Sequence, residues 1–240
     1  MSVVQAEVGA GAGAGQSGEG ILANGSNGAM RGPLLRDLGL DIFANVAEAL
    51  DRKRIAHWAA KRLTDIVLSL VGLVVTAPLV AVFAILIRVD SEGPVFFCQT
   101  RIGRDGRPFK LVKLRTMHVE SGARATRVGC ILRPMGLDEL PQFWNVLAGD
   151  MSIVGPRPER PHLVDEYQST LPGYRARHVV RPGITGLAQV HGLRGRSGSI
   201  AERLRYDLEY VRTWNPAKDF LILARTVTAV WRDTRRELRL

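Results

Sequence analysis

A chain of 240 residues with 46% hydrophobic content is long enough for one domain with a real core, and this excludes wholesale disorder. Its 33 Lys and Arg against 23 Asp and Glu give a net charge of +10, so an anionic partner is expected; with 6% aromatic residues and no uninterrupted basic helical stripe, that partner is not nucleic acid. Two cysteines, Cys98 and Cys130, are too few for a disulfide framework and lack metal-ligand spacing, which fits a reducing compartment.

Residues 1–33 are a run of Gly, Ala, Ser and Asn that offers too little apolar area to offset its ordering entropy, and a disordered tail is expected there. It lacks a basic start and an apolar core, so no cleavable signal is expected. The first 50 residues carry two Arg and five acids, so the basic balance belongs to the remainder. Residues 34–62 form an amphipathic, basic helical lead-in. Leu38, Ile42, Val46 and Leu50 fall four apart, followed by Arg52, Lys53, Arg54, Lys61 and Arg62. Such a helix either lies on a membrane surface or packs on the domain.

Residues 63–87 carry the strongest signal. As a helix, this run with Asp65 as its sole charge would reach ~37 Å, beyond the ~30 Å hydrocarbon core, which favours lipid over the interior of a soluble domain. Pro78 removes a backbone donor and disfavours helix at Ala77, splitting the run into pieces of ~22 Å and ~14 Å, neither of which crosses a bilayer. Both flanks are basic, with five Lys or Arg just upstream and 26 against 16 acids over residues 88–240. Positive flanks stay on the cytoplasmic side, so a re-entrant helix-break-helix is predicted over a kinked single span.

Residues 88–240 are expected to form a compact cytoplasmic catalytic domain. PVFFCQTRIG and RPFKLVKLRTM are predicted strands joined at Arg-Asp-Gly, a small β-hairpin. Helical patterns follow at LDELPQFWNVL, PERPHLVDEYQSTL and SIAERLRYDLEYVRTW, the last with Ser199 and Glu202 at capping-box spacing. In AKDFLILARTVTAVWRD, Phe220, Leu223, Val227, Val230 and Trp231 share a stripe suited to an interfacial helix. The predicted class is α+β, mostly helical.

The chemistry centres on Asp138-Glu139, two adjacent carboxylates at a loop-to-helix junction behind Arg133. Alone, they could be an N-cap and a first-turn acid. Around them lie runs rich in Arg, Gly and Pro: KLVKLRTM with Lys113 and Arg115, GDMSIVGPRPERP with Arg157, and VVRPGITGLAQVHG with Arg181 and Gln189. Fixed turns that present backbone N–H groups, and Arg forks that match phosphate oxygens, suit a diphosphate site.

The segments KRLTDIVLSLVGLVVTAPLV, GPVFFCQTRIGRDGRPFKLVKLRTM, LDELPQFWNVLAGDMSIVGPRP, RPGITGLAQVHGLRG and YDLEYVRTW resemble, in order from about Lys61 to Thr228, the bacterial monotopic polyprenyl-phosphate phosphoglycosyl transferases. The resemblance implies that Asp138 attacks the sugar-linked phosphate of a UDP-sugar, releasing UMP, and that undecaprenyl phosphate then takes the phosphosugar from the carboxylate. It further implies Mg²⁺ at Glu139 with Asp138, and Lys113, Arg115 and Arg157 lining the anionic site. Asp207 and Arg181 also match motif positions, with a helix acid and a solvated turn arginine as their plain alternatives. The implied setting is the cytoplasmic face of the inner membrane, among its lipids, with a homodimer allowed and glucose or galactose the expected sugar. Two departures stand out: Ala77-Pro78 where many relatives have Ser-Pro, and a short stretch between Met117 and Arg133. A non-catalytic basic membrane adaptor is the rival reading.

Overall fold

The computed structural model describes residues 4–5, 55–119, 124–193 and 198–238. Most of the Gly/Ala-rich run and residues 34–54 of the lead-in lie outside the described residues. Within the run, Val4–Gln5 forms a short strand, β1, parallel to β2 (Phe96–Ile102).

The first helix, α1, runs from Ile55 to Asp90, 36 residues or ~54 Å, and begins inside the predicted lead-in. Where the sequence predicts a break at Pro78, the structure holds one helix with Pro78 inside it. The physical reason is that both halves are pinned to one body. Gly72 sits so close to Phe143 that an added Cβ would lie 2.9 Å from the ring, and Val80, Phe83 and Ile87 pack with Leu114 and Leu132. This packing offsets the donor lost at proline, a cost of roughly 3 kcal/mol in an unsupported helix.

The ends of α1 are fixed by charge. Lys61 bonds the Val154 carbonyl (3.2 Å) and Asp219 (2.7 Å), and Arg62 donates to the carbonyls of Val146 (2.7 Å) and Leu147 (3.0 Å). Asp65, the one charge in the apolar run, accepts from the Ser152 hydroxyl and the Ile153 N–H, both at 3.0 Å. At the far end Asp90 accepts from the Val128 N–H (2.9 Å), and Arg115 donates to the carbonyls of Ile87, Ser91 and Glu92. The opposite side of α1 is bare and apolar, with Leu63, Val74, Val75, Ile85 and Val89 exposed.

The predicted hairpin is present: β2 pairs antiparallel with β3 (Pro108–Leu114), and Phe97 stands opposite Lys113. Its turn is a 3-10 segment, Arg104–Gly106, with Asp105 left-handed at φ 57°, a conformation Asp tolerates. Next comes α2 (Arg127–Met135), which the sequence reading missed. Thr126 caps it by accepting from the Gly129 N–H, and a Cβ at Gly129 would lie 2.1 Å from the Thr116 carbonyl oxygen. The predicted helices appear as α3 (Gln142–Ala148), α4 (Pro161–Thr170), α6 (Ile200–Thr213) and α7 (Pro216–Leu238). Ser199 caps α6 by accepting from the Glu202 N–H (3.0 Å).

A second sheet went unpredicted because its strands, β4 (Ser152–Val154) and β5 (Gly183–Thr185), are too short to show alternation. They pair in parallel, with the four-residue α5 (Leu187–Val190) following β5. The main core gathers Val146, Met151, Ile153, Val154, Tyr210 and Ile222. In α7 the buried positions are Ile222 and Ala229, so Phe220, Val227 and Trp231 of the predicted stripe face outward. The class is mostly helical with small sheets, as predicted.

Candidate active site

The dyad sits on a 3-10 turn, Leu137–Glu139, between α2 and α3. Gly136, left-handed at φ 67°, ends α2 by donating to the Arg133 carbonyl, and Pro141 leads into α3. Neither carboxylate caps α3, whose N-cap position is Pro141. This removes the cap from the bland account, while both acids do lie in the first turn of the 3-10 segment. Asp138 is buried, at 6% exposure.

Lys113 reaches the dyad from β3, its Nζ 3.9 Å from Asp138 Oδ2. Asn145 ties that strand to α3 by acting as a neighbouring strand. Its Oδ1 accepts from the Val112 N–H (3.0 Å), and its Nδ2 donates to the Lys110 carbonyl (2.8 Å). Arg157, in the loop after β4, closes a two-pronged bond on Glu139, Nη1 to Oε2 at 3.2 Å and Nη2 to Oε1 at 2.5 Å.

Burial, reinforced by the charge of Glu139, pushes the Asp138 carboxyl up to about 6, against the opposing pull of Lys113, Arg157 and the exposed Arg133. Burial also pushes Lys113 down, opposed first by Asp138. Both partners therefore shift toward their neutral forms although the distance alone would class them as an ion pair. Unit charges 4 Å apart gain only ~4 kcal/mol at an effective dielectric of 20, which desolvation of two ions offsets. Arg157 differs, because Glu139 in direct contact outweighs its burial and holds it charged.

Of the other predicted site residues, Arg115 is committed to the carbonyls at the end of α1. Arg181 donates to the Gly149 carbonyl (2.8 Å), and Gln189 lies buried with its Nε2 on the Ile184 carbonyl (3.0 Å). Asp207 is buried and bonded to Arg177. The geometry thus gathers Asp138, Glu139, Lys113, Arg133 and Arg157, while the direct contacts of Arg115, Arg181, Gln189 and Asp207 lie elsewhere.

Sequence reasoning missed Arg101, whose Nη1 donates to the Pro158 carbonyl (3.2 Å) and Nη2 to Gln99 (2.8 Å). Burial and the charge of Arg157 lower it to about 10. Strand alternation was the available signal, because the register puts Phe97, Gln99 and Arg101 on the face that carries Lys113. The glycines also need a different explanation. A Cβ on Gly183 would meet the Gly155 nitrogen at 2.1 Å, and one on Gly186 the Gly155 oxygen at 2.2 Å. The N–H groups of Gly155 and Gly183 bond the carbonyls of Thr185 and Pro156, both at 2.9 Å. These glycines let two backbones touch, and the N–H groups of Gly155 and Gly183 are taken by carbonyls.

Among the described residues, no group of three or more His, Cys, Asp or Glu could hold a metal ion. Two adjacent carboxylates remain, and both oxygens of Glu139 face Arg157. Mg²⁺ takes one or two protein carboxylates and fills its shell with water and substrate phosphate, so Asp138 and Glu139 could hold it where Glu139 shares its oxygens between the ion and Arg157.

Comparison with known proteins shows the family. The family model described as "Bacterial sugar transferase" matches residues 56–233. A "UDP-glucose:undecaprenyl-phosphate glucose-1-phosphate transferase" of Caulobacter vibrioides is 44% identical over 191 residues, 74% of this chain and 72% of that protein. The protein of the same name in Escherichia coli K12 is 43% identical over 181 residues, 70% of this chain, which spans only 39% of that relative's length. An "Exopolysaccharide production protein PSS" of Rhizobium leguminosarum is 41% identical over 190 residues, 70% of this chain and 94% of that protein.

Proposed function

The chain belongs to the bacterial sugar transferase family, and from that premise we propose that it transfers a sugar 1-phosphate from a UDP-sugar to undecaprenyl phosphate in two displacements at Asp138. The observation that carries this is the buried Asp138 carboxylate, uncommitted to any helix cap, 3.9 Å from Lys113 and next to a Glu139 that is clamped by Arg157.

In the first step an Asp138 carboxylate oxygen attacks the sugar-bearing phosphorus, the bond to the bridging oxygen breaks, and UMP leaves. An acyl phosphate to the phosphosugar remains. In the second, an oxygen of undecaprenyl phosphate attacks that phosphorus and Asp138 departs as carboxylate, leaving the sugar on a lipid diphosphate. Covalent catalysis divides one hard displacement into two easier ones. A partly desolvated carboxylate is a stronger nucleophile than a hydrated one, and the surrounding cations offset its repulsion from the diphosphate. Lys113, Arg133 and Arg157 supply that charge. Magnesium held by Glu139 and Asp138 with diphosphate oxygens would supply further screening of the leaving group.

α1 lies in the cytoplasmic leaflet of the inner membrane through its bare apolar side, with both ends on the cytoplasmic side. Support comes from its ends, since Lys61 and Asp90 are both bonded to the same body, while the side between them is bare and apolar. Tags at both termini should be protected in intact cells; labelling of one from outside would restore a span. Glucose leads among the sugars because the similar proteins of Caulobacter and Escherichia are named for UDP-glucose.

The decisive experiment is intact-mass measurement after exposure to UDP-glucose, Mg²⁺ and no acceptor. A hexose phosphate added to wild type and absent from Asp138→Asn is expected. Steady turnover with no such adduct would replace the two-step reading with direct transfer.

A further inference from the structure

We propose that the buried Arg177–Asp207 pair is a positioning device that fixes the loop carrying Arg157, so that its guanidinium meets Glu139 beside the nucleophile. The inference rests on the roles of Asp138, Glu139 and Arg157 given above.

The loop has an unusual need for such a device. Prolines on both sides of Arg157 remove two backbone donors and fix two φ angles, leaving carbonyls as the main handles. Each carbonyl from 156 to 159 is held, the first two by separate segments and the last two by the end of β2. Pro156 accepts from the Gly183 N–H (2.9 Å), Arg157 from Arg177 Nη2 (2.7 Å), Pro158 from Arg101 Nη1 (3.2 Å) and Glu159 from the Ile102 N–H (3.0 Å). The hold on Arg157 itself is therefore Arg177, which lies on the 3-10 segment Tyr174–Val179.

Arg177 is itself immobilised. It is the largest fully buried side chain among the described residues, with Nε and Nη2 on Asp207 Oδ2 (3.0 and 2.7 Å) and Nη1 on the Tyr174 hydroxyl (3.1 Å). The Tyr174 ring stands 5.2 Å from its guanidinium carbon. A buried ion pair is weak as a source of stability, because desolvation opposes attraction and an apolar pair of similar volume often serves as well. What an apolar pair cannot do is reach the Arg157 carbonyl. An error of about 1 Å in a reacting geometry costs on the order of a hundredfold in rate.

The test is a double-mutant cycle on the full chain, read by UMP release from UDP-glucose and in parallel by equilibrium binding of UDP. Arg177→Met should lower kcat/KM by about a hundredfold and Arg157→Met by at least as much. The double variant should lose no more than Arg157→Met alone, because the two act through one guanidinium. Losses that multiply, or an Arg177→Met enzyme within threefold of wild type, would overturn the inference. Should Arg177→Met fail to fold around an unpaired Asp207, the paired change Arg177→Met with Asp207→Leu removes both charges and should show the same loss in a folded protein. Arg177→Lys keeps the charge opposite Asp207 without the fork, and should retain the melting temperature while turnover falls. Full turnover in Arg177→Lys would reduce the pair to scaffolding. The binding arm separates the two ideas: wild type that binds UDP without releasing UMP from any donor sinks the proposed reaction, while the cycle in binding still judges Arg177.

Discussion

In the Arg177–Asp207 pair a guanidinium closes on one carboxylate oxygen at 2.7 and 3.0 Å, whereas in the Lys113–Asp138 pair the ammonium stands 3.9 Å off. Burial raises both carboxyls. At Asp207 the charge and hydrogen bonds of Arg177 oppose it directly; at Asp138 Glu139 adds to it and the result is about 6. The lesson is that contact, more than net charge, separates a scaffold pair from a reactive one. The closed pair is held by two bonds to Asp207 Oδ2, whereas the Lys113 ammonium stands too far from Asp138 to hydrogen-bond it.

Breaking the open pair should give the largest change. Asp138→Asn should cut UMP release by at least about 10³-fold. It should also raise the melting temperature at neutral pH, because the native state no longer buries an ionised carboxylate. The sign follows from linkage. A carboxyl whose folded pKa of about 6 lies above its ordinary 3.8 supports the native state below 3.8 and loses that support as pH rises through 6. The mutant's advantage should therefore be near zero at pH 3.5 and approach about 3 kcal/mol at pH 7, checked by melting curves in metal-free buffer. A variant that is both inactive and less stable would contradict the open-pair account.

Breaking the closed pair should do the reverse. Asp207→Asn leaves the buried Arg177 without its counter-charge and should destabilise by about 3–5 kcal/mol in denaturant unfolding. Glu139→Gln is intermediate. It keeps the side chain's size but leaves one acceptor for the Arg157 fork and no charge, and should slow turnover by roughly a hundredfold and raise the Mg²⁺ concentration needed for half-maximal rate.

The same contrast explains what the sequence made legible. That Asp138, Glu139, Lys113 and Arg157 lie together was legible in motif spacing and residue chemistry, and the hairpin and α6 in the turn and cap residues that mark their ends. Arg177 was invisible: an arginine in YRARHV has no pattern that announces complete burial, and its partner Asp207 is thirty positions away. Arg115 and Arg181 donate to backbone carbonyls, and an arginine that does so has the same sequence signature as one that binds phosphate. Pro78 sits inside a continuous α1, because the contacts that hold both halves come from segments distant in sequence, such as Phe143 and Leu132.

The smallest expected effect is the sharpest test of the comparison. Attack requires the ionised form of Asp138, so kcat/KM for the UDP-sugar should fall tenfold per pH unit below a limb near 6, the value of the free carboxyl. Lys113 pulls that value down through its charge, 3.9 Å away, without a hydrogen bond. Lys113→Met removes the pull, so the limb should move to higher pH, and the rate lost at pH 6 should be partly regained at pH 8. A closed pair would behave otherwise, because removing a hydrogen-bonded partner also frees the carboxylate to reorient and would depress the rate at every pH. A Lys113→Met profile with an unmoved limb and a uniform loss would show that Lys113 binds substrate and leaves the nucleophile's charge untouched.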